Sequence, residues 1–207
     1  MNEITEISPQ KKDKRRCNVY VDGRFCCGLT LETAVKNRLK VGQIVSPESL
    51  AQMQLESEKD TAFDKALTHL SATLKTEKQI SDFLSKKGYL PAVIEYVLEK
   101  LRSYNFLNDR EYAETYVQSA SKRKGGRLIK MELRSKGIDE ESIDNALGGL
   151  NASEELETAK ALLIKYMRGK TADIPTLQKA YRHLMTKGFS YDVVKEALSA
   201  YGDLEEE

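Results

Sequence analysis

Three Lys-Gly dipeptides, Lys87-Gly88, Lys136-Gly137 and Lys187-Gly188, impose one register on most of this chain. The glycines are 49 and 51 residues apart. Leu84, Leu133 and Leu184 each stand four positions before their glycine, and Ile94, Ile143 and Val194 six after it. Leu98, Leu147 and Leu198 stand ten after, while Thr76, Gly125 and Thr176, all competent N-caps, stand twelve before. Agreement on both flanks of every glycine marks an internal repeat of roughly fifty residues, which constrains the architecture before any local reading.

Each repeat reads as three short helices. Thr76 with Gln79 forms a capping box, Ile80 and Leu84 follow at helical spacing, and Gly88 supplies the left-handed residue that ends the helix. The next helix is expected to start near Pro91, after Asp139 and after Ser190; in the first repeat its apolar stripe is Val93, Ile94, Val97, Leu98 and Leu101. A further helix precedes each cap. It carries Phe63, Ala66, Leu67 and Leu70 in the first repeat. In the second it starts from Asn108 with Glu111 three residues on and carries Tyr112, Ala113, Tyr116 and Val117. In the third it starts from Ser153 and carries Leu156, Ala159, Leu162, Leu163 and Tyr166. A fifty-residue unit buries little surface alone, so neighbours are expected to share cores in an elongated, curved array of tandem three-helix repeats. The expected divisions are 59–106, 107–150 and 151–207.

Residues 1–58 differ. Cys17, Val19 and Val21 alternate with Asn18, Tyr20 and Asp22, and Asp22-Gly23 is a two-residue turn leading back through Arg24-Phe25-Cys26-Cys27. Ile4–Ile7 reads as a third strand of this small β element, and a hairpin alone would be marginal in water. Leu31–Arg38 and Pro47–Leu55 read as short helices, the second capped by Ser46. The three cysteines fit apolar fillers in strands better than a disulfide framework.

With 33 Lys and Arg against 32 Asp and Glu, the net charge is +1, which excludes a uniformly basic nucleic-acid coat and an acidic mimic. No apolar run approaches the ~20 residues that span a bilayer. The start MNEITEISPQ does not read as a secretory signal, so a cytoplasmic protein is expected. The sequence has neither a G-x-x-x-x-G-K-[ST] phosphate loop nor an H-E-x-x-H pair, and Gly125-Gly126 has the wrong spacing for a nucleotide fingerprint. His69 and His183 lie on helices that carry core residues, without partners at a recognisable spacing. No enzymatic activity, cofactor or metal is expected.

Charge clusters in two places. The second repeat carries Lys122, Arg123 and Lys124, then Arg127, Lys130 and Arg134, the last three at i, i+3 and i+7 on one helix face, with Ile129 and Leu133 turned to the core. The matching positions are Lys78, Ser81 and Ser85 in the first repeat and Gln178, Tyr181 and Met185 in the third, so the repeat itself does not require charge there. Residues 107–150 hold eight basic and eight acidic residues; the patch is a segregation, not an excess. Asp139, Glu140, Glu141 and Asp144 read as complements to the dipole of the next helix. Near the N-terminus, Lys11, Lys12, Lys14, Arg15 and Arg16 face only Asp13. Both clusters admit two readings, a solvated surface or a binding patch for phosphates or an acidic protein face.

The stretches Asn18–Gly23, Phe106–Ala113, Glu132–Ile138 and Lys187–Asp192, in this order, resemble the RecX family of bacterial recombination regulators. The resemblance covers nearly the whole chain. It implies a non-enzymatic, cofactor-free protein of tandem three-helix repeats that binds the RecA recombinase and its filament on single-stranded DNA. It also implies limits on RecA's ATPase, strand-exchange and coprotease activities. The β segment is present in some members and absent in others. The implied partners are RecA and its nucleoprotein filament, with direct contact to single-stranded DNA as a further option; no membrane contact and a monomeric state are expected besides. The contact residues expected from charge are Lys122, Arg123, Lys124, Arg127, Lys130 and Arg134, then Lys11, Lys12, Arg15 and Arg16. Two alternatives stay open: a general nucleic-acid-binding helical protein without a recombinase partner, and a scaffold that touches no DNA.

Overall fold

The computed structural model describes residues 2–11 and 13–205, with side chains through Tyr201. It divides into two compact units, Met1–Lys75 with Ile80–Leu107, and Thr76–Gln79 with Asn108–Glu207.

The first unit begins with a three-stranded antiparallel meander, β1 (Ile4–Pro9), β2 (Arg16–Val21) and β3 (Arg24–Thr30), in the order 1-2-3. Asp22 and Gly23 both have positive φ, 47° and 76°, the signature of the turn whose twist matches paired strands. Cys17 and Val19 of β2, Cys27 and Leu29 of β3 and Ile4 of β1 share a core with Leu50 and Met53. The expectation for cysteine holds for Cys17 and Cys27 but not for Cys26. Val19 pairs with Cys27 and Tyr20 with Phe25, so Cys26 is the extra residue of a β-bulge and is exposed.

α1 (Leu31–Lys36) ends two residues earlier than expected, because Arg38 takes φ 50° and leaves the helical region. α2 (Pro47–Leu70) is one helix of 24 residues where two were expected. Residues 56–61 contain no Gly or Pro to break it. Each half has its own apolar surface to bury, Leu50 and Met53 in the sheet core and Ala62 and Ala66 in the core of the first repeat. Buried Ser57 ties it to the sheet by accepting a 2.7 Å hydrogen bond from the Thr30 amide. α3 (Glu77–Lys86) and α4 (Pro91–Ser103) complete the repeat. The Thr76–Gln79 box forms as expected: Thr76 N donates to Gln79 Oε1 at 3.1 Å and Gln79 N to Thr76 Oγ1 at 3.3 Å. All five residues of the α4 stripe are buried.

The second unit holds α5 (Asp109–Ala120), α6 (Gly126–Ser135), α7 (Glu140–Gly148), α8 (Ala152–Met167), α9 (Ile174–Thr186) and α10 (Tyr191–Glu205). Asn108, Gly125 and Asp139 cap α5, α6 and α7 as read. Two third-repeat starts shift upstream. Asn151, not Ser153, caps α8, its side chain accepting from Ser153 N at 3.0 Å. Asp173, not Thr176, caps α9, accepting from Thr176 N at 2.8 Å. In both cases a strong capping side chain stands two or three residues earlier, and Pro175 fits the first turn because its missing N–H would be unsatisfied there anyway.

The three repeat glycines all have positive φ, between 86° and 88°. Leu84, Leu133 and Leu184 are fully buried, each in its own repeat's core. Within the second unit the repeat register also builds a joint between repeats. Gly125 N donates to the Lys187 carbonyl at 2.9 Å and Arg127 N to the Gly188 carbonyl at 3.2 Å. A Cβ at Gly125 would lie 2.5 Å from the Gly188 carbonyl carbon, so the approach requires two bare backbones. Thr76 makes a related bond in this unit, its hydroxyl donating to the Lys136 carbonyl at 2.7 Å.

Candidate functional site

The second repeat's cationic face is built on α6. Ile129 and Leu133 are fully buried, which turns Arg127, Lys130 and Arg134 outward together. They do not share one environment. Arg127 is exposed with no carboxylate partner among the described residues. Lys130 bonds the Asp144 carboxylate and lies 3.4 Å from Glu140. Arg134 grips Glu140 with two nitrogens, Nε to Oε1 and Nη2 to Oε2, the latter at 2.7 Å. Glu140, in the first turn of α7, and Asp144, one turn further on, clasp the last two turns of α6, and Glu140 also faces its own helix N-terminus. The hydrogen bond from Arg134, followed by that from Lys130, holds the Glu140 carboxyl down at about 2. Asp139 takes the capping role, accepting from Ser142 N at 2.8 Å.

The preceding corner divides in the same way. Lys122 and Arg123, in the turn between α5 and α6, are exposed and have no carboxylate partner among the described residues. Lys124 is half-buried, its Nζ 2.5 Å from Glu132 Oε1, and the Tyr116 hydroxyl donates to Glu132 Oε2 at 2.7 Å. Burial opposes ionisation of Glu132, but the bonds from Lys124 and Tyr116 outweigh it and hold the carboxyl below its usual range. Burial, with the bond to Glu132, pushes the Tyr116 phenol up. Lys136 lies 5.5 Å from the Tyr116 ring centroid and 5.9 Å from that of Tyr112, within cation–π range. The six cations named from the sequence therefore form two sets: Lys122, Arg123 and Arg127 stand open, and Lys124, Lys130 and Arg134 are engaged by carboxylates.

The N-terminal cluster is dispersed by the sheet. Lys11 is exposed, and Lys12 lies outside the described residues. Arg15 reaches toward Asp13 and Asp64 at 3.6 and 3.7 Å. Arg16 is half-buried and points into the unit: Nη1 donates to Thr61 Oγ1 at 2.8 Å and Nη2 to the Gly28 carbonyl at 3.2 Å, which joins β3 to α2. The histidines pack on rings, His69 on Phe83 at 4.1 Å and His183 on Tyr166 at 4.6 Å. Burial, then the nearby lysines, keeps the His183 imidazole's pKa low. No three His, Cys, Asp or Glu side chains among the described residues gather to hold a metal, and no helix among them is long and apolar enough to cross a membrane. Sequence reasoning missed Glu132, Glu140 and Asp144 as partners of the cations. Their only sequence signal is the balance of eight acids against eight bases in this repeat.

Family models match the chain in four consecutive pieces: the N-terminal domain of regulatory protein RecX over residues 2–46, and the first, second and third RecX three-helix domains over 62–101, 108–147 and 153–198. The regulatory protein RecX of Bacillus licheniformis is 34% identical over 202 residues, spanning 96% of this chain and 77% of that protein. That of Clostridium perfringens is 34% identical over 196 residues, 93% of this chain and 92% of the other. A crystal structure of regulatory protein RecX superposes with a TM-score of 0.71 at 30% identity, covering 94% of this chain and 98% of that one. A second, of RecX from Lactobacillus salivarius, gives 0.62 at 28% identity over 69% of this chain.

Proposed function

This chain belongs to the RecX family of regulatory proteins, and on that footing we propose that it binds the RecA recombinase and its filament on single-stranded DNA. Through that contact it restrains RecA's ATPase, strand exchange and coprotease activity, and so tempers recombination, DNA repair and the SOS response. The observation that carries this reading is the match of all four RecX segments, in order, along the chain. The action is a binding competition. Cations on the second repeat meet phosphates or acidic side chains of the filament, and the bound protein hinders the movement of recombinase subunits or the entry of duplex DNA. Lys122, Arg123 and Arg127 support direct contact with the DNA strand, because they are exposed and not neutralised internally. Lys124, Lys130, Arg134, Lys11, Lys12 and Arg15 complete the proposed contact set; Arg16, also expected there from its charge, is instead held within its own unit by Thr61 and the Gly28 carbonyl.

The test is RecA ATPase on single-stranded DNA, titrated with this protein. Half-maximal inhibition is expected at concentrations well below those needed to bind naked DNA. Changing Arg127, Lys130 and Arg134 together to Ala should raise that concentration about tenfold, the scale of three surface ionic contacts. The fold should hold, with a small downward shift of the melting transition from loss of the exposed pairs to Glu140 and Asp144, because the aligned positions of the other repeats do without this charge pattern. Unchanged inhibition by the triple variant would reject the face, and absence of inhibition by the parent protein would reject the function. A general nucleic-acid binder would instead bind naked strands as well as filaments and lose affinity steeply with salt.

A further inference from the structure

The charged clasp between α6 and α7 lies outside the apolar contact that joins the two helices. The helices are held by the buried pair Ile129 and Leu133 packed with Ile143 and Ala146. The ion pairs lie outside that core, with the Glu140 and Asp144 side chains 54% and 62% exposed. A polyanion approaching Lys130 or Arg134 therefore meets the two carboxylates at the same surface. A bare phosphodiester strand has only negative charge to offer, so to reach either cation it must displace a carboxylate that stays beside it. A protein face carrying both signs can pair with cations and carboxylates together. Lys122, Arg123 and Arg127 are paired with no carboxylate among the described residues, although Glu114, Glu154 and Glu155 line the same cavity as Lys122.

We propose that Glu140 and Asp144 are specificity-determining residues that reject naked nucleic acid at the Lys130–Arg134 end of the face while leaving it competent for a mixed-charge protein surface. Discrimination of this kind works by a repulsive element against the wrong partner. The proposal rests on the reading of α6 as the contact face. It divides that face into a phosphate-facing corner at Lys122, Arg123 and Arg127 and a protein-facing end at Lys130 and Arg134.

The experiment measures binding of a fluorescent oligothymidylate, without any recombinase, across a salt series by anisotropy. The isosteric variant Glu140→Gln/Asp144→Asn is compared with the parent chain and with Glu141→Gln. That control changes an exposed carboxylate on the same helix turn that forms no ion pair with Lys130 or Arg134. Two newly available cations should steepen the slope of log affinity against log salt by about 1.4, since each phosphate neutralised on a single strand contributes ~0.7. The variant's advantage over the parent should then shrink about sevenfold between 50 and 200 mM salt. Glu141→Gln should leave the slope as it is. An unchanged slope in the folded double variant, or an equal change in Glu141→Gln, overturns the proposal; Glu140→Gln alone serves if the double variant does not fold, with about half the slope change expected because it frees Arg134 and leaves Lys130 on Asp144. Because recombinase is absent, a failure here leaves the ATPase test standing, and a failure there leaves this result readable.

Discussion

Replacing Gly188 with Ala should weaken the second unit far more than the same replacement at Gly88 weakens the first, although both glycines end equivalent helices with nearly the same φ, 88° and 86°. At Gly88 a Cβ would meet nothing within 4 Å, so only the left-handed backbone is charged, about 1–2 kcal/mol. At Gly188 the new Cβ would lie 2.3 Å from Leu128 Cβ and 2.4 Å from Leu128 N. Ordinary carbon contacts begin near ~3.5 Å, so the backbones must part by roughly an ångström. That movement breaks or stretches the bonds from Gly125 N to Lys187 O and from Arg127 N to Gly188 O. Each is worth about 0.5–1.5 kcal/mol net, overpacking adds about 1–3 kcal/mol, and with the backbone strain the loss reaches about 3–8 kcal/mol. Gly125→Ala isolates the crowding. Gly125 has φ −79°, so the variant has no left-handed strain, yet its Cβ would lie 2.5 Å from Gly188 C and Phe189 N. Thermal unfolding followed by circular dichroism reads all three, at about 2–4 °C per kcal/mol for a chain of this size. The Gly188→Ala shift should be at least twice that of Gly88→Ala, with Gly125→Ala clearly destabilised. Equal shifts at the two positive-φ glycines, or a neutral Gly125→Ala, would refute the joint as a tight backbone contact.

Other consequences concern the sheet and the clasp. Arg16→Ala should cost the first unit about 1–2 kcal/mol in denaturation, because two charge-assisted bonds to Thr61 and Gly28 are lost from a half-buried position, and Arg16→Lys should recover only part of it without the guanidinium fork. Of the three thiols, Cys26 alone should react quickly with an aromatic disulfide reagent. Cys17 and Cys27 are buried, and burial followed by the neighbouring Cys26 pushes the Cys27 thiol up to about 11; rapid release of two thiol equivalents would contradict this. The Glu140 carboxyl, followed by NMR, should titrate at about 2 in the parent and move back up toward 4.5 in a Lys130→Ala/Arg134→Ala variant. Because its folded pKa is depressed, its contribution to stability is present above about 4.5 and is lost as pH falls toward about 2, so Glu140→Gln should flatten the acid side of the stability profile.

Much of this molecule is written in short-range code. The Thr76–Gln79 box, the Asn108 and Asp139 caps, the Asp22-Gly23 turn and the repeat glycines each act within about one turn of chain, where covalent spacing alone brings donor to acceptor. Their identities could therefore be read from residues a few positions apart, and the fifty-residue period then ordered them into three-helix repeats. Where two caps competed within that range, at Asn151 and Ser153 or Asp173 and Thr176, spacing did not choose between them. The remaining features depend on distances the chain does not encode locally. Gly125 meets Gly188 across 63 residues, Arg16 reaches Thr61 across 45, and Lys130 finds Asp144 only because α6 and α7 share one core. The continuity of α2 was likewise settled by its two cores, each of which holds one half of the helix. Six cations at plausible spacing thus looked equivalent on paper. Packing separated them, because a charge's availability is set by what lies across the groove from it and not by its neighbours along the chain.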